Sequence, residues 1–184
     1  MKAIVFINTS PYGYFFLADS AVSNTGKPFY LPENLGETCV CLSAAIRVSR
    51  LGKCIREKFA PRYYSKFAPA LHFFLPEYAR KLKEMNLPED PARNFDKALF
   101  VGDLLPFNPS ARIELALNGE KVAEFSFNNI DKGIDSIIEE VSLLNTLKMG
   151  DIILPGLSNA VSLKSGDILE VGVDGVKAFQ VRVK

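Results

Sequence analysis

Cys39 and Cys41 stand two residues apart in the run Thr38 to Ser49, and the chain's one histidine follows at His72. Two thiolates and an imidazole are a donor set for a soft ion such as Zn²⁺, with a fourth position open for water. The same residues have a plainer use. A Cys-x-Cys pair on one strand is cramped for chelation, free cysteine is a common small core residue, and a histidine between Leu71 and Phe73 reads as an interior side chain. Glu77 and Asp96 could handle protons as a pair. However, Glu77 opens a helix, where its charge is favourable, and Asp96 suits a cap or loop hydrogen bond. Arg47, Arg50, Lys53, Arg56, Lys58 and Arg62 form a basic run that reads as solvated surface. Tyr63, Tyr64, Phe73 and Phe74 read as core or dimer-contact aromatics.

The elements that must position these groups are organised around Leu147 to Val171. Two Lys-x-Gly-Asp turns, ending at Asp151 and Asp167, each precede an apolar run. Glycine supplies backbone freedom there and aspartate a local acceptor. Ile152 to Leu154 and Ile168 to Val173 are predicted strands. The turns lack the Gly-rich run and helix of a phosphate loop, so no nucleotide site follows from them.

Upstream, Lys2 to Ile7 and Tyr14 to Leu17 are predicted strands, with Lys27 to Pro32 a short edge piece. Thr38 to Ser49 alternates, and its Cys39, Cys41, Ser43, Ala45 face is unusually small. Glu57 to Tyr64 reads as a helix broken by Pro61, and Phe67 to Leu75 as a strongly apolar run. Pro76 to Asn86 has the acidic start and basic end of a helix. Ala98 to Leu105 reads as one buried strand. Arg112 to Leu117 and Lys121 to Phe127 form a hairpin on Asn118-Gly119, Ile134 to Leu144 is an amphipathic helix, and Val176 to Val183 closes the sheet. The fold class is α+β, mostly β.

The 184 residues are 48% apolar with no long charged or Gly/Ser tract, which predicts one domain over the whole chain. Lys plus Arg number 22 against 21 Asp plus Glu, a net charge of +1, so neither nucleic acid nor an anionic membrane is an expected partner. The opening MKAIVFINTS is too short for a membrane span and lacks the pattern of a signal peptide. Three cysteines make an odd number, which fits a reducing, cytoplasmic setting.

Several segments, in order, carry a family resemblance: Arg47-Val48-Ser49-Arg50-Leu51-Gly52-Lys53, Glu57-Lys58-Phe59-Ala60, Arg62-Tyr63-Tyr64, Leu117-Asn118-Gly119-Glu120, Val141-Ser142, Thr146-Leu147-Lys148 and the two Gly-Asp turns. From about Lys27 to the C-terminus the chain resembles the fumarylacetoacetate hydrolase family. The resemblance implies a mixed β-roll, a homodimer, and a divalent Mg²⁺, Mn²⁺ or Ca²⁺ that holds a 2-oxo or β-diketo acid for hydrolysis, decarboxylation or isomerisation. Such chemistry needs a hard cation on oxygen ligands.

The same alignment implies that the ligands are gone. Cys41 and Ser43 fall where the family has two glutamates, and His72 where it has an aspartate. Asn94 replaces a lysine, Pro155-Gly156-Leu157 replaces Thr-Gly-Thr, Leu75-Pro76-Glu77 stands for Ala-Arg-Asp, and Ala18 takes a further lysine position. The N-terminal segment over residues 1–26, source of a catalytic histidine in the family, is shortened. The expectation is therefore a pseudoenzyme with no cofactor, its vacated cleft lined by Cys41, Ser43, His72, Asn94, Pro155 and Leu157. It would pair with itself or with an active homologue, or bind a small apolar or weakly polar ligand in the vacated cleft. The alternative is a divergent hydrolase or isomerase of a 2-oxo or β-diketo acid, with a soft metal at Cys39, Cys41 and His72, which the resemblance would bring together in the old metal pocket.

Overall fold

The computed structural model describes residues 1–8, 10–24 and 26–184. Strands β1 (Ala3–Ile7), β2 (Gly13–Leu17) and β3 (Val22–Asn24) lead to the two longest, β4 (Thr38–Val48) and β5 (Tyr64–Phe74). Helix α1 (Pro76–Glu84), β6 (Leu99–Val101), β7 (Leu105–Pro106), the hairpin β8 (Arg112–Leu117) and β9 (Glu120–Ser126), and helix α2 (Ile134–Leu144) follow. The chain ends in β10 (Ile152–Leu154), β11 (Val161–Leu163), β12 (Ile168–Val173) and β13 (Val176–Arg182).

A nine-stranded sheet runs β2-β1-β10-β4-β5-β6-β3, with β11 added to β4 and β7 to β5, and a four-stranded sheet runs β13-β12-β8-β9. Strands β2 and β3 are neighbours in sequence, joined by the short 3₁₀ turn Asp19–Ala21, yet they lie at opposite ends of the large sheet. A link that short spans the sheet only if the sheet curls until its two edges meet. The curl has a sequence cause. Its inner face carries Ala3, Ala45, Ala68, Ala70 and Ala98, all buried, and these small side chains let the walls of the roll close.

The outer face carries Val40, Leu42, Ile46, Phe67, Leu71 and Phe73. They pack against Ile137, Ile138 and Val141 of α2 and against Ile113, Leu115, Leu169 and Val171 of the second sheet. Phe73 stacks on Phe29 with ring centroids 3.9 Å apart. Because both faces are covered, β4 is buried along its whole length except Arg47.

The two Lys-x-Gly-Asp turns are built alike. Gly150 and Gly166 sit at φ +91° and +96°, a conformation natural to glycine. The aspartate of each accepts from the lysine backbone N–H, at 2.8 Å from Lys148 and 2.7 Å from Lys164. Their surroundings differ: buried Asp151 also takes the Lys2 ammonium and the Lys2 N–H, whereas Asp167 accepts from the Asn118 amide of the β8–β9 turn. Asn118 and Gly119, at φ +53° and +88°, make the tight hairpin that the sequence predicts.

Two expectations are corrected, and two strands go beyond them. The strand expected over Ala98–Leu105 is two, β6 and β7, because the chain departs at Gly102. There the backbone donates to Pro69 O (2.9 Å), and an added Cβ would meet the Phe179 ring at 2.9 Å. Glu57–Tyr63 is a 3₁₀ helix that contains Pro61, not an α-helix broken by it. Strands β3 and β11 were not expected, since each is three residues long with too little alternation to read.

Candidate functional site

The inner face of the roll is where β4 and β5 bring the singled-out residues together. In the antiparallel register Cys41 faces His72, Ser43 faces Ala70 and Cys39 faces Phe74. Residues directly opposite share a sheet face, so Cys41, Ser43 and His72 do converge. Cys41 and His72 are buried and Ser43 fully so.

Each is committed locally. Ser43 Oγ donates to Gly156 O at 2.6 Å. Alongside, Leu42 N donates to Ser158 Oγ and Ser158 N to Leu42 O, both at 2.8 Å, so the strand holds the Pro155–Ser158 segment in place. His72 Nε2 lies 3.2 Å from Arg93 O. A carbonyl can only accept, so this nitrogen carries the proton, and the buried Nδ1 has no partner. The ring lies 5.7 Å from Phe15 and 6.2 Å from Phe74.

Charge follows burial. Burial pulls His72 down to about 4, against a partial lift from its hydrogen bond to the Arg93 backbone. Burial pushes the Cys41 thiol up to about 12, with Cys39 adding to the effect and Arg93 opposing it. At neutral pH this face therefore holds a neutral imidazole and a protonated thiol. Among the described residues no three His, Cys, Asp or Glu side chains are grouped so that they could hold a metal ion, and the proposed soft set of Cys39, Cys41 and His72 is included in that finding. The residues present do not fit the hard cation that the family resemblance implies: an alcohol, a thiol and a lone imidazole stand where that resemblance places charged oxygens.

The cleft at the mouth of the roll, about 310 Å³, lies beside this face. Asn8, Arg93, Glu124 and Phe125 of β9 and the Gly156–Ser158 segment are among the residues that line it. Asn8 binds the mouth together: its amide donates to Lys132 O (2.9 Å) and Pro155 O (2.8 Å) and accepts from Lys132 N (2.9 Å). Arg93 is the cation of the cleft. One nitrogen donates to Glu89 at 3.1 Å, and the guanidinium lies 5.5 Å from the centre of the Phe15 ring. Glu124 accepts from Lys121, which holds its carboxyl below the usual range.

Leu157 lines the cleft and packs on the inner core. Pro155 is buried, and its carbonyl accepts from the Asn8 amide. Asn94 lies outside the cleft lining: its Oδ1 accepts from Ala18 N at 2.9 Å, so its neighbour Arg93 is the side chain presented there. Glu77 packs against the Gly36 backbone and Asp96 is exposed; neither lines the cleft. Arg93, Glu124 and Asn8 were not singled out in the sequence. Arg93 alone left a signal, as a cation next to the Asn94-Phe95-Asp96 segment.

Residues 13–184 match the family model of the fumarylacetoacetate (FAA) hydrolase C-terminal domain, and the chain belongs to that family. Among its relatives, the chain is 28% identical over 176 residues to the mitochondrial oxaloacetate tautomerase FAHD1 of Mus musculus, covering 92% of this chain and 80% of that protein. It is 24% identical over 148 residues to the oxaloacetate tautomerase YcgM of Escherichia coli strain K12, covering 77% and 68%. Its fold matches the fumarylpyruvate hydrolase of Pseudomonas aeruginosa solved with Mn²⁺ and pyruvate, at TM-score 0.90 and 17% identity, over 100% of this chain and 89% of that one. It also matches the 5-carboxymethyl-2-hydroxymuconate delta-isomerase of Mycobacterium smegmatis, at TM-score 0.89 and 19% identity, over 99% and 76%. No helix among the described residues is long and apolar enough to cross a membrane.

Proposed function

We propose that the chain binds a small 2-oxo carboxylate at the mouth of the roll, without the divalent metal expected from the family resemblance. One observation carries this reading. The three positions where that resemblance expects acids hold Ser43 tied to Gly156, a buried protonated thiol and a buried neutral ring, while Arg93 on the adjoining cleft, one nitrogen of which is held by Glu89, keeps further N–H donors that suit a carboxylate. The role is then that of a ligand-binding family member that associates with a second copy or with an active homologue. The side chains of Leu51, Leu143 and Leu144, each more than half exposed, supply apolar surface for that association.

A second reading is favoured by the relatives named as oxaloacetate tautomerases. Moving a proton between carbon and oxygen of a 2-oxo acid requires a positioned carboxylate and a base. Glu124 is the one acid lining the cleft among the described residues, and its hydrogen bond from Lys121 keeps it ionised. In this reading Arg93 holds the substrate and Glu124 carries the proton.

Calorimetric titration with pyruvate and oxalate, run beside the loss of enol absorbance of oxaloacetate, tests both. Arg93→Ala is expected to weaken carboxylate binding by about tenfold or more. If Arg93→Ala leaves binding unchanged, or if neither acid binds the native chain, the first reading fails. If enol decay is accelerated by the native chain and falls with Glu124→Gln, the second reading replaces it.

A further inference from the structure

The loop from Arg50 to Arg56 and the 3₁₀ helix Glu57–Tyr63 build a second cleft, about 450 Å³, with no lining residue in common with the first. Its volume is that of a small-molecule site. Arg50, Lys53, Arg56 and Arg62 line it, with Phe59 and Tyr63 in its wall. Residues 47–62 hold six of the chain's 22 Lys and Arg and one of its 21 acids, a net +5 against −4 for the remainder.

These cations differ from the others in their partners. Lys2, Arg93, Lys121, Lys132 and Lys177 each pair with an acid. Among the described residues none of the four cleft cations does. Glu57, the acid of the segment, accepts instead from Ser136 Oγ of α2 at 2.7 Å. Lys58 and Arg62 lie 5.0 Å from the centre of the half-exposed Phe59 ring.

The loop that mounts the cations is ordered from beneath. Gly52 and Leu147 exchange both backbone hydrogen bonds, at 2.9 and 2.8 Å. Cys54 N donates to Ser142 O at 2.9 Å, and Ile55 N to Ser142 Oγ at 2.8 Å. Ser49 N donates to Tyr63 O at 2.7 Å. Gly52 is required, because a Cβ there would stand 2.4 Å from the Tyr63 ring. Cys54 is held at φ +52°, a conformation uncommon for a side chain of this type and worth a functional question. Like charges fixed on an ordered loop repel one another, and an anion among them relieves that repulsion without further loss of loop freedom.

We propose that this cleft binds a small anion bearing linked phosphoryl groups, of the polyphosphate or nucleoside di- or triphosphate class. Four cations lining one cleft match several phosphoryl oxygens and exceed what a single carboxylate calls for. The Phe59 ring braces the Arg62 guanidinium that lies over it, which keeps that cation at the cleft wall.

The test is calorimetric titration of the full chain with inorganic tripolyphosphate, ATP and AMP at about physiological ionic strength, where exposed charges are screened beyond roughly 8 Å. The expected result is one-to-one binding of tripolyphosphate and ATP, with AMP about tenfold weaker or more. Tighter binding of ATP than of tripolyphosphate supports the proposal with a nucleoside ligand, and equal binding supports it with the phosphoryl chain alone. Lys53→Glu with Arg56→Glu is expected to weaken binding by about tenfold or more. The same charge change at Arg47 and Lys66, which line a neighbouring cleft, is expected to change it by about twofold or less. Melting curves check that both variants fold, and the ligand series on the native chain stands without them. Absence of binding at millimolar tripolyphosphate, equal losses from both double variants, or preference for duplex DNA over both small anions overturns the proposal.

Discussion

The two faces of the β4–β5 pair have the same backbone and opposite chemistry. The outer face carries Val40, Leu42, Ile46, Phe67, Leu71 and Phe73, packed against α2 and the second sheet. The inner face carries Cys39, Cys41, Ser43, Ala45, Ala68, Ala70 and His72, small or polar, and it is buried as well. Large side chains on one face hold the layers together, while small ones on the other let the sheet roll up and leave room beside the strand at the mouth. Stability and site are therefore separated by the alternation of a single pair of strands.

The contrast is broken most severely on the outer face. Phe73→Ala removes a ring stacked on Phe29 and edge-on to Phe100. It is expected to cost about 3–5 kcal/mol, measured as a fall in the urea midpoint with unchanged slope. A loss below about 1 kcal/mol would mean that the outer face is not the principal core.

The inner face is sharpened by pH. His72 titrates at about 4 in the fold and near 6.5 when unfolded. Between those values the unfolded chain binds the extra proton, so stability is full above about pH 6.5 and falls as pH drops toward 4. The loss is on the order of 3 kcal/mol. Urea unfolding across that range reads it, and His72→Leu is expected to remove most of the slope. An unchanged slope in His72→Leu would show that carboxylates such as Asp151 carry it. Burial raises the Asp151 carboxyl, but the hydrogen bonds from Lys2 and Lys148 outweigh it and hold the group below its usual range.

Much of this contrast was legible in the residues. The alternation from Cys39 to Ala45 gave away a small face, the Asn118-Gly119 hairpin and the Ile134–Leu144 helix lie as periodicity and turn chemistry placed them, and the family assignment followed from motif order. What escaped was decided by tertiary contact. The break at Gly102 depends on Phe179, distant in sequence. The three-residue strands β3 and β11 owe their pairing to β6 and β4. Arg93 was missed because alignment by residue type drew attention to Asn94, whose side chain is taken up by the Ala18 N–H. The basic run read as a row of solvated charges, because only the folded loop shows that four of them face one cleft.

If the inner face serves packing and not metal binding, as proposed above, Mn²⁺ titration of the purified chain will read it. With oxalate present, calorimetry and the electron paramagnetic resonance signal of free Mn²⁺ together report occupancy. No saturable binding is expected up to millimolar Mn²⁺, for the native chain and for Cys41→Ala alike. One equivalent of Mn²⁺ bound at micromolar concentration, and lost in Cys41→Ala or His72→Ala, would contradict it.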